Sequence, residues 1–113
     1  MVIWLVIHEA TIIGVEAVDL CLERIMKAVK KVNGILIVTA DHGNADEMYE
    51  KPKKEGDKPK AKTSHTLNKV PFIIYNKDVE IAEGDFGLAN VASTVAKLLE
   101  LEPDAHWLPA IIK

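Results

Sequence analysis

The chain has 113 residues, 49% of them hydrophobic, with 14 Lys and Arg against 17 Asp and Glu and a formal net charge of -3. That is enough chain for one core-forming domain, and it excludes the overall basic field of a nucleic-acid binder or anionic-membrane binder. No apolar run is long enough to span a bilayer, Met1–Ile7 lacks the basic start and cleavage site of a secretory leader, and a cytoplasmic setting is expected.

Met1–Ile7 reads as an edge or central strand, with no turn residue between it and Glu9. From Glu9 to Val32 the apolar period becomes that of a helix: Ala10, Ile13, Ala17, Val18, Cys21, Ile25, Ala28, Val29 and Val32 fall on one stripe. Acidic residues gather in its first half and lysines in its last turn, as the helix dipole favours. Cys21, the single cysteine, cannot form an internal disulfide and reads as a small core residue. Asn33-Gly34 ends the helix, with Gly34 suited to the left-handed conformation.

Ile35 to Thr39 is a run of apolar and β-branched residues without polar alternation, the pattern of a strand covered on both faces. It leads directly into Ala40-Asp41-His42-Gly43-Asn44. Ligands of open α/β sheets bind at the carboxyl ends of strands, where Asp41 and His42 emerge. Glu47 to Ser64 is a polar excursion with Pro52, Gly56, Pro59 and the lysines Lys51, Lys53, Lys54, Lys58, Lys60 and Lys62. It reads as a solvated loop, with a phosphate-attracting flap as the alternative. Val70–Tyr75 is a second short strand that tolerates Pro71 near its start, and Val79–Ile81 is a further candidate. Leu88 to Leu101 reads as a second amphipathic helix with Val91, Val95, Leu98, Leu99 and Leu101 as its stripe, stopped by Pro103. The tail from Asp104 to Lys113 has apolar residues to bury but no period.

Asp41 and His42 offer one oxygen and one nitrogen donor, a mixture suited to zinc or manganese more than to calcium. His65, on the loop entering the next strand, adds an imidazole. Taken by itself the pattern has two readings, a divalent-metal site built from two strand ends or an Asp-His pair that ties a loop. His8 and His106 are not read as ligands.

Four stretches carry a resemblance. They are Glu9–Asp19, Thr39–Met48 (Thr-Ala-Asp-His-Gly-Asn-Ala-Asp-Glu-Met), Ser64–Ile73 and Gly84–Thr94. Together they resemble the C-terminal part of the cofactor-independent phosphoglycerate mutases, members of the alkaline-phosphatase superfamily. The resemblance implies an α/β fold, part of a three-layer sandwich with a small mostly parallel sheet and flanking helices. It implies that residues 9–113 belong to the metal-binding, phosphatase-like domain. In that family two manganese ions bridge a serine nucleophile and the phosphate, and 3-phosphoglycerate and 2-phosphoglycerate interconvert through a phosphoserine. The resemblance places Asp41 and His42 on one ion and His65 on the other. The serine, a further Asp, a catalytic lysine and the substrate-clamping domain have no counterpart in these 113 residues.

Just before Glu9 the family pattern Asn-x-Asp-Met-Val-Gly-His-Thr-Gly is expected, and Met1–His8 does not match it. A degenerate back-translation of Met1–His8, read one base earlier, gives Asn-Gly-Asp-Met-Val-Gly-His-Thr. Residues 1–8 are therefore expected to be an out-of-frame reading of a mutase gene. The functional expectation is a mutase segment that is inactive alone. The alternatives are half of a split enzyme completed by an upstream chain, and a non-catalytic fragment that self-associates through its sheet edges.

Overall fold

The computed structural model describes all residues except Met1, Lys51, Lys53, Glu55, Asp57 and Thr63, and describes only the backbone of residues 2–7. What Lys51 and Lys53 contribute to the lysine loop therefore lies outside the described residues. The chain forms two compact units, Met1–Asn76 and Lys77–Lys113.

The first unit opens with helix α1, Val2–Lys31. In place of the strand expected at Met1–Ile7, residues 2–7 continue the helix, and Met1 lies outside the described residues. No Gly, Pro or capping residue separates them from Glu9, so each added residue gains a helical hydrogen bond without a new nucleus. The helix ends in a Schellman motif: Gly34 N–H donates to Val29 O at 2.9 Å and Asn33 N–H to Lys30 O at 3.1 Å. Asn33, with φ 53°, takes the left-handed position expected of Gly34. Asn tolerates that region better than other non-Gly residues because its short polar side chain bonds locally.

The stripe expected to be buried on α1 is mostly exposed. Leu22, Met26 and Val29 are half-buried, whereas Ile13, Val18 and Ile25 are 64%, 66% and 49% exposed. Cys21 is also exposed, against its expected core position. The helix thus carries apolar residues on two faces, and a periodicity count cannot tell which face its neighbours cover.

Strand β1, Leu36–Thr39, pairs with β4, Phe72–Tyr75, in the register Leu36 to Tyr75 and Thr39 to Phe72. The pair is antiparallel, not parallel as expected. A parallel neighbour needs a crossover that returns the chain to the start of the strand. Residues 40–71 contain no helix among those described, and bring the chain back at the end where β1 finished. The expected two-sided burial is also incomplete: Leu36, Ile37 and Val38 are half-buried, and Ile73 is 52% exposed. Asn76 Nδ2 donates to Gly34 O at 2.8 Å, tying the exit of β4 to the entry of β1. Within the polar excursion, β2 (Tyr49–Glu50) and β3 (Lys60–Ala61) form a short antiparallel ladder. Lys62 Nζ lies 3.0 Å from Glu47 Oε2, so this lysine is paired across the base of the excursion.

In the second unit a 3-10 turn, Leu88–Asn90, leads into α2, Val91–Leu98. The helix stops five residues before Pro103, in a second Schellman motif: Leu101 N–H reaches Ala96 O at 2.9 Å and Glu100 N–H reaches Lys97 O at 3.1 Å. Its buried face is mostly polar: of the expected stripe Val91 and Leu98 are half-buried, whereas Val95, Leu99 and Leu101 are 38%, 64% and 59% exposed. Asn90, Ser93, Thr94 and Ala96 are buried instead. The reason lies in the tail, a segment without helix or strand whose backbone groups need partners. Asn90 Nδ2 donates to Pro109 O at 2.8 Å, Ser93 Oγ donates to Leu108 O, and Ile111 N–H donates to Thr94 Oγ1 at 2.9 Å. Ile81 and Ile112 form an antiparallel bridge, all that is present of the strand expected at Val79–Ile81.

Candidate metal centre

The polar cluster lies in the first unit, between the end of β1 and the segment entering β4. Gly43 and Thr66 form an isolated antiparallel bridge, with Thr66 N–H donating to Gly43 O at 2.9 Å. The residue before each bridge position is a histidine. The His42 and His65 rings consequently meet, with centroids 3.6 Å apart and planes inclined by 34°. Asp41 Oδ1 is 3.6 Å from His42 Nε2, and the Asp41 side chain is 86% exposed. The three residues singled out from the sequence thus gather at one place, although Asp41 and His65 are separated by the whole polar excursion.

His42 Nδ1 is 3.1 Å from Gly43 O. A carbonyl only accepts, so this bond puts the proton on Nδ1 and leaves the Nε2 lone pair available to a metal. A backbone carbonyl is a common outer partner of a metal-binding imidazole for this reason.

A second set of contacts joins the same two segments. Thr66 Oγ1, on a residue only 6% exposed, donates to Asp46 at 2.9 Å to Oδ2 and 3.2 Å to Oδ1. Asn68 Nδ2 donates to the same carboxylate. These hydrogen bonds, that of Asn68 first, hold the Asp46 carboxyl below the usual Asp range. Gly43 leaves the room that this requires: a Cβ there would lie 2.1 Å from Thr66 Oγ1 and 2.7 Å from Asp46 Oδ1. The sequence alone gives Asp46, Thr66 and Asn68 no separate roles. The one available signal is their place in the Asp-His-Gly-Asn-Ala-Asp and His-Thr-Leu-Asn runs.

The donors fit a divalent cation in kind, two imidazoles and a carboxylate suited to a borderline metal. They do not complete a site: among the described residues no three His, Cys, Asp or Glu side chains are arranged to hold one ion. His106 is paired with Asp104 at 2.8 Å in the second unit, and His8 stacks on Tyr49 at 6.3 Å between centroids. No helix among the described residues is long and apolar enough to cross a membrane.

Residues 7–103 match the metalloenzyme superfamily. The probable 2,3-bisphosphoglycerate-independent phosphoglycerate mutase of Leptospira interrogans serovar Lai is 42% identical over 116 residues, spanning 94% of this chain and 21% of its own length. The corresponding mutase 1 of Arabidopsis thaliana is 39% identical over 122 residues, spanning 93% of this chain and 21% of its own. A Leishmania mexicana phosphoglycerate mutase, solved at low cobalt concentration, superposes with a TM-score of 0.80 at 41% identity over 93% of this chain and 21% of that one. The chain spans about a fifth of the length of these relatives. It belongs to the metalloenzyme superfamily, and corresponds to one segment of the 2,3-bisphosphoglycerate-independent phosphoglycerate mutases.

Proposed function

We propose that the chain supplies metal ligands to a 2,3-bisphosphoglycerate-independent phosphoglycerate mutase, acting in glycolysis in the cytoplasm on 3-phosphoglycerate and 2-phosphoglycerate. Asp41 and His42 serve one ion and His65 a neighbouring one, with manganese as the metal. The observation that supports this most is the meeting of His42 and His65 beside Asp41. Divalent ions at such a centre neutralise phosphate charge and activate a nucleophile. The part played by this chain is narrower. Its Gly43 carbonyl sets the His42 tautomer, its exposed Asp41 carboxylate adds charge, and the Gly43–Thr66 bridge fixes the spacing of the imidazoles. The nucleophile and the substrate domain come from polypeptide beyond this chain, so turnover by the chain alone is not expected.

Manganese binding should be weak, because three ligands are shared between two ions. Calorimetric titration with Mn2+ should give a weak isotherm that Asp41→Ala weakens further, by about tenfold or more. Tight stoichiometric binding that Asp41→Ala leaves unchanged would put the metal elsewhere.

A second reading, self-association without catalysis, is favoured by the open apolar groove on α1. Ala17, Val18, Cys21, Leu22 and Ile25 line it, all on successive turns of this one helix. Sedimentation velocity should show concentration-dependent dimers that Val18→Glu disperses; a monomer at all concentrations contradicts this reading.

A further inference from the structure

The two histidine segments are joined twice. The backbone link is the Gly43–Thr66 bridge, and the side-chain link runs through Asp46, which accepts from both Thr66 and Asn68. Twenty residues separate Asp46 from Thr66, and the hairpin of β2 and β3 lies between them. The β1–β4 and β2–β3 ladders and the Lys62 N–H to Met48 O bond at 2.8 Å offset the entropy of closing that loop. The carboxylate adds a side-chain tie beside the histidines themselves. Asp46 stands three residues after Gly43 in the turn closed by Glu47 N–H to Asn44 O at 3.2 Å, and Thr66 follows His65 directly. The hold on the Thr66 hydroxyl therefore acts with the Gly43–Thr66 bridge in setting where the His65 ring lies against that of His42.

We infer that Asp46 is a positioning residue for the metal-binding histidines, its carboxylate clasping Thr66 and Asn68 so that the His65 segment is held in register with the His42 segment. The inference rests on the reading of Asp41, His42 and His65 as metal ligands. Asp46 is not one of those ligands in that reading. Its hydrogen bonds engage both carboxylate oxygens, which commits it to the clasp.

The test is NMR of the full chain, first in EDTA and then with Mn2+ alone. Rings whose centroids lie 3.6 Å apart perturb each other's proton shifts through their ring currents, so the His42 and His65 ring signals report the register without a metal. Asp46→Ala should move both signals toward those of separated rings and raise the Mn2+ dissociation constant about tenfold. Asn68→Ala, at an exposed position, removes one arm of the clasp and should move the same signals part of the way. A merely structural tie would lower the melting temperature and leave ring shifts and Mn2+ affinity unchanged, which overturns the inference. If Asp46→Ala fails to fold, unchanged ring signals in Asn68→Ala overturn it equally. If Mn2+ fails to broaden the ring protons of the unaltered chain, the metal reading falls, while the shifts in EDTA still decide the role of Asp46.

Discussion

Gly43→Ala is expected to destabilise the first unit by about 1–3 kcal/mol, the usual cost of overpacking, and to weaken Mn2+ binding with it. The new methyl carbon would sit 2.1 Å from Thr66 Oγ1 and 2.7 Å and 3.1 Å from the two Asp46 oxygens. Contacts that short force movement: the exposed Asp46 carboxylate can swing aside, giving up its hydrogen bond to Thr66, but Thr66 cannot follow. Thr66 is buried and bridged to Gly43 through its own backbone, and its hydroxyl is committed to Asp46. The effect is steric and not conformational, since the φ of Gly43 is outside the left-handed region. Gly14→Ala is the control: nothing lies within 4 Å of a Cβ there, on α1. That change should stabilise the helix by about 1 kcal/mol, the propensity difference between Gly and Ala. Urea unfolding of both variants checks the pair, and Gly43→Ala unfolding at the midpoint of the unaltered chain would refute the close approach.

Thr94→Val is expected to cost the second unit about 1–3 kcal/mol, although the two side chains have nearly the same shape. Thr94 is fully buried. Its hydroxyl donates to Asn90 O at 2.7 Å and accepts the Ile111 N–H at 2.9 Å. Valine removes the acceptor and leaves the Ile111 N–H, at a residue only 8% exposed, without a partner. A donor stranded away from water carries the full desolvation penalty. Thr94→Ser retains the hydroxyl and should recover most of the loss. The expected signature is fast amide exchange at Ile111 and Ile112 in Thr94→Val; retained protection would show that the tail is held by other means.

The strand read at Ile35–Thr39, the helices and the Asp41-His42 pair were legible because each has a local signature: a β-branched run, a helical period, polar donors at a strand end. That His65 meets His42 across the polar excursion has no such local sign. The tail was not legible for the opposite reason. Its fixings are Asn90, Ser93 and Thr94, polar residues that a hydrophobic stripe count assigns to solvent, and their partners are backbone groups with no residue-type signal. On α1 the period was read correctly and the covered face only at Val29, because Ile13, Val18 and Ile25 are as apolar as the half-buried Leu22 and Met26. The antiparallel pairing of β1 and β4 was missed because an apolar run suggests two-sided cover but does not encode the direction of a neighbour. Asp46 was hidden for a similar reason: its partners lie on the far side of the hairpin excursion.

The most direct measurement is conversion of 3-phosphoglycerate to 2-phosphoglycerate by this chain co-expressed with the remaining portion of a 2,3-bisphosphoglycerate-independent mutase, in the presence of Mn2+. Activity is expected from the pair and from neither polypeptide alone, with loss of at least a hundredfold in Asp41→Ala, the order expected when a metal ligand is removed from such a centre. A pair that assembles without turning over, or turnover that Asp41→Ala leaves intact, would contradict the assignment of this chain as the metal-binding segment of the enzyme.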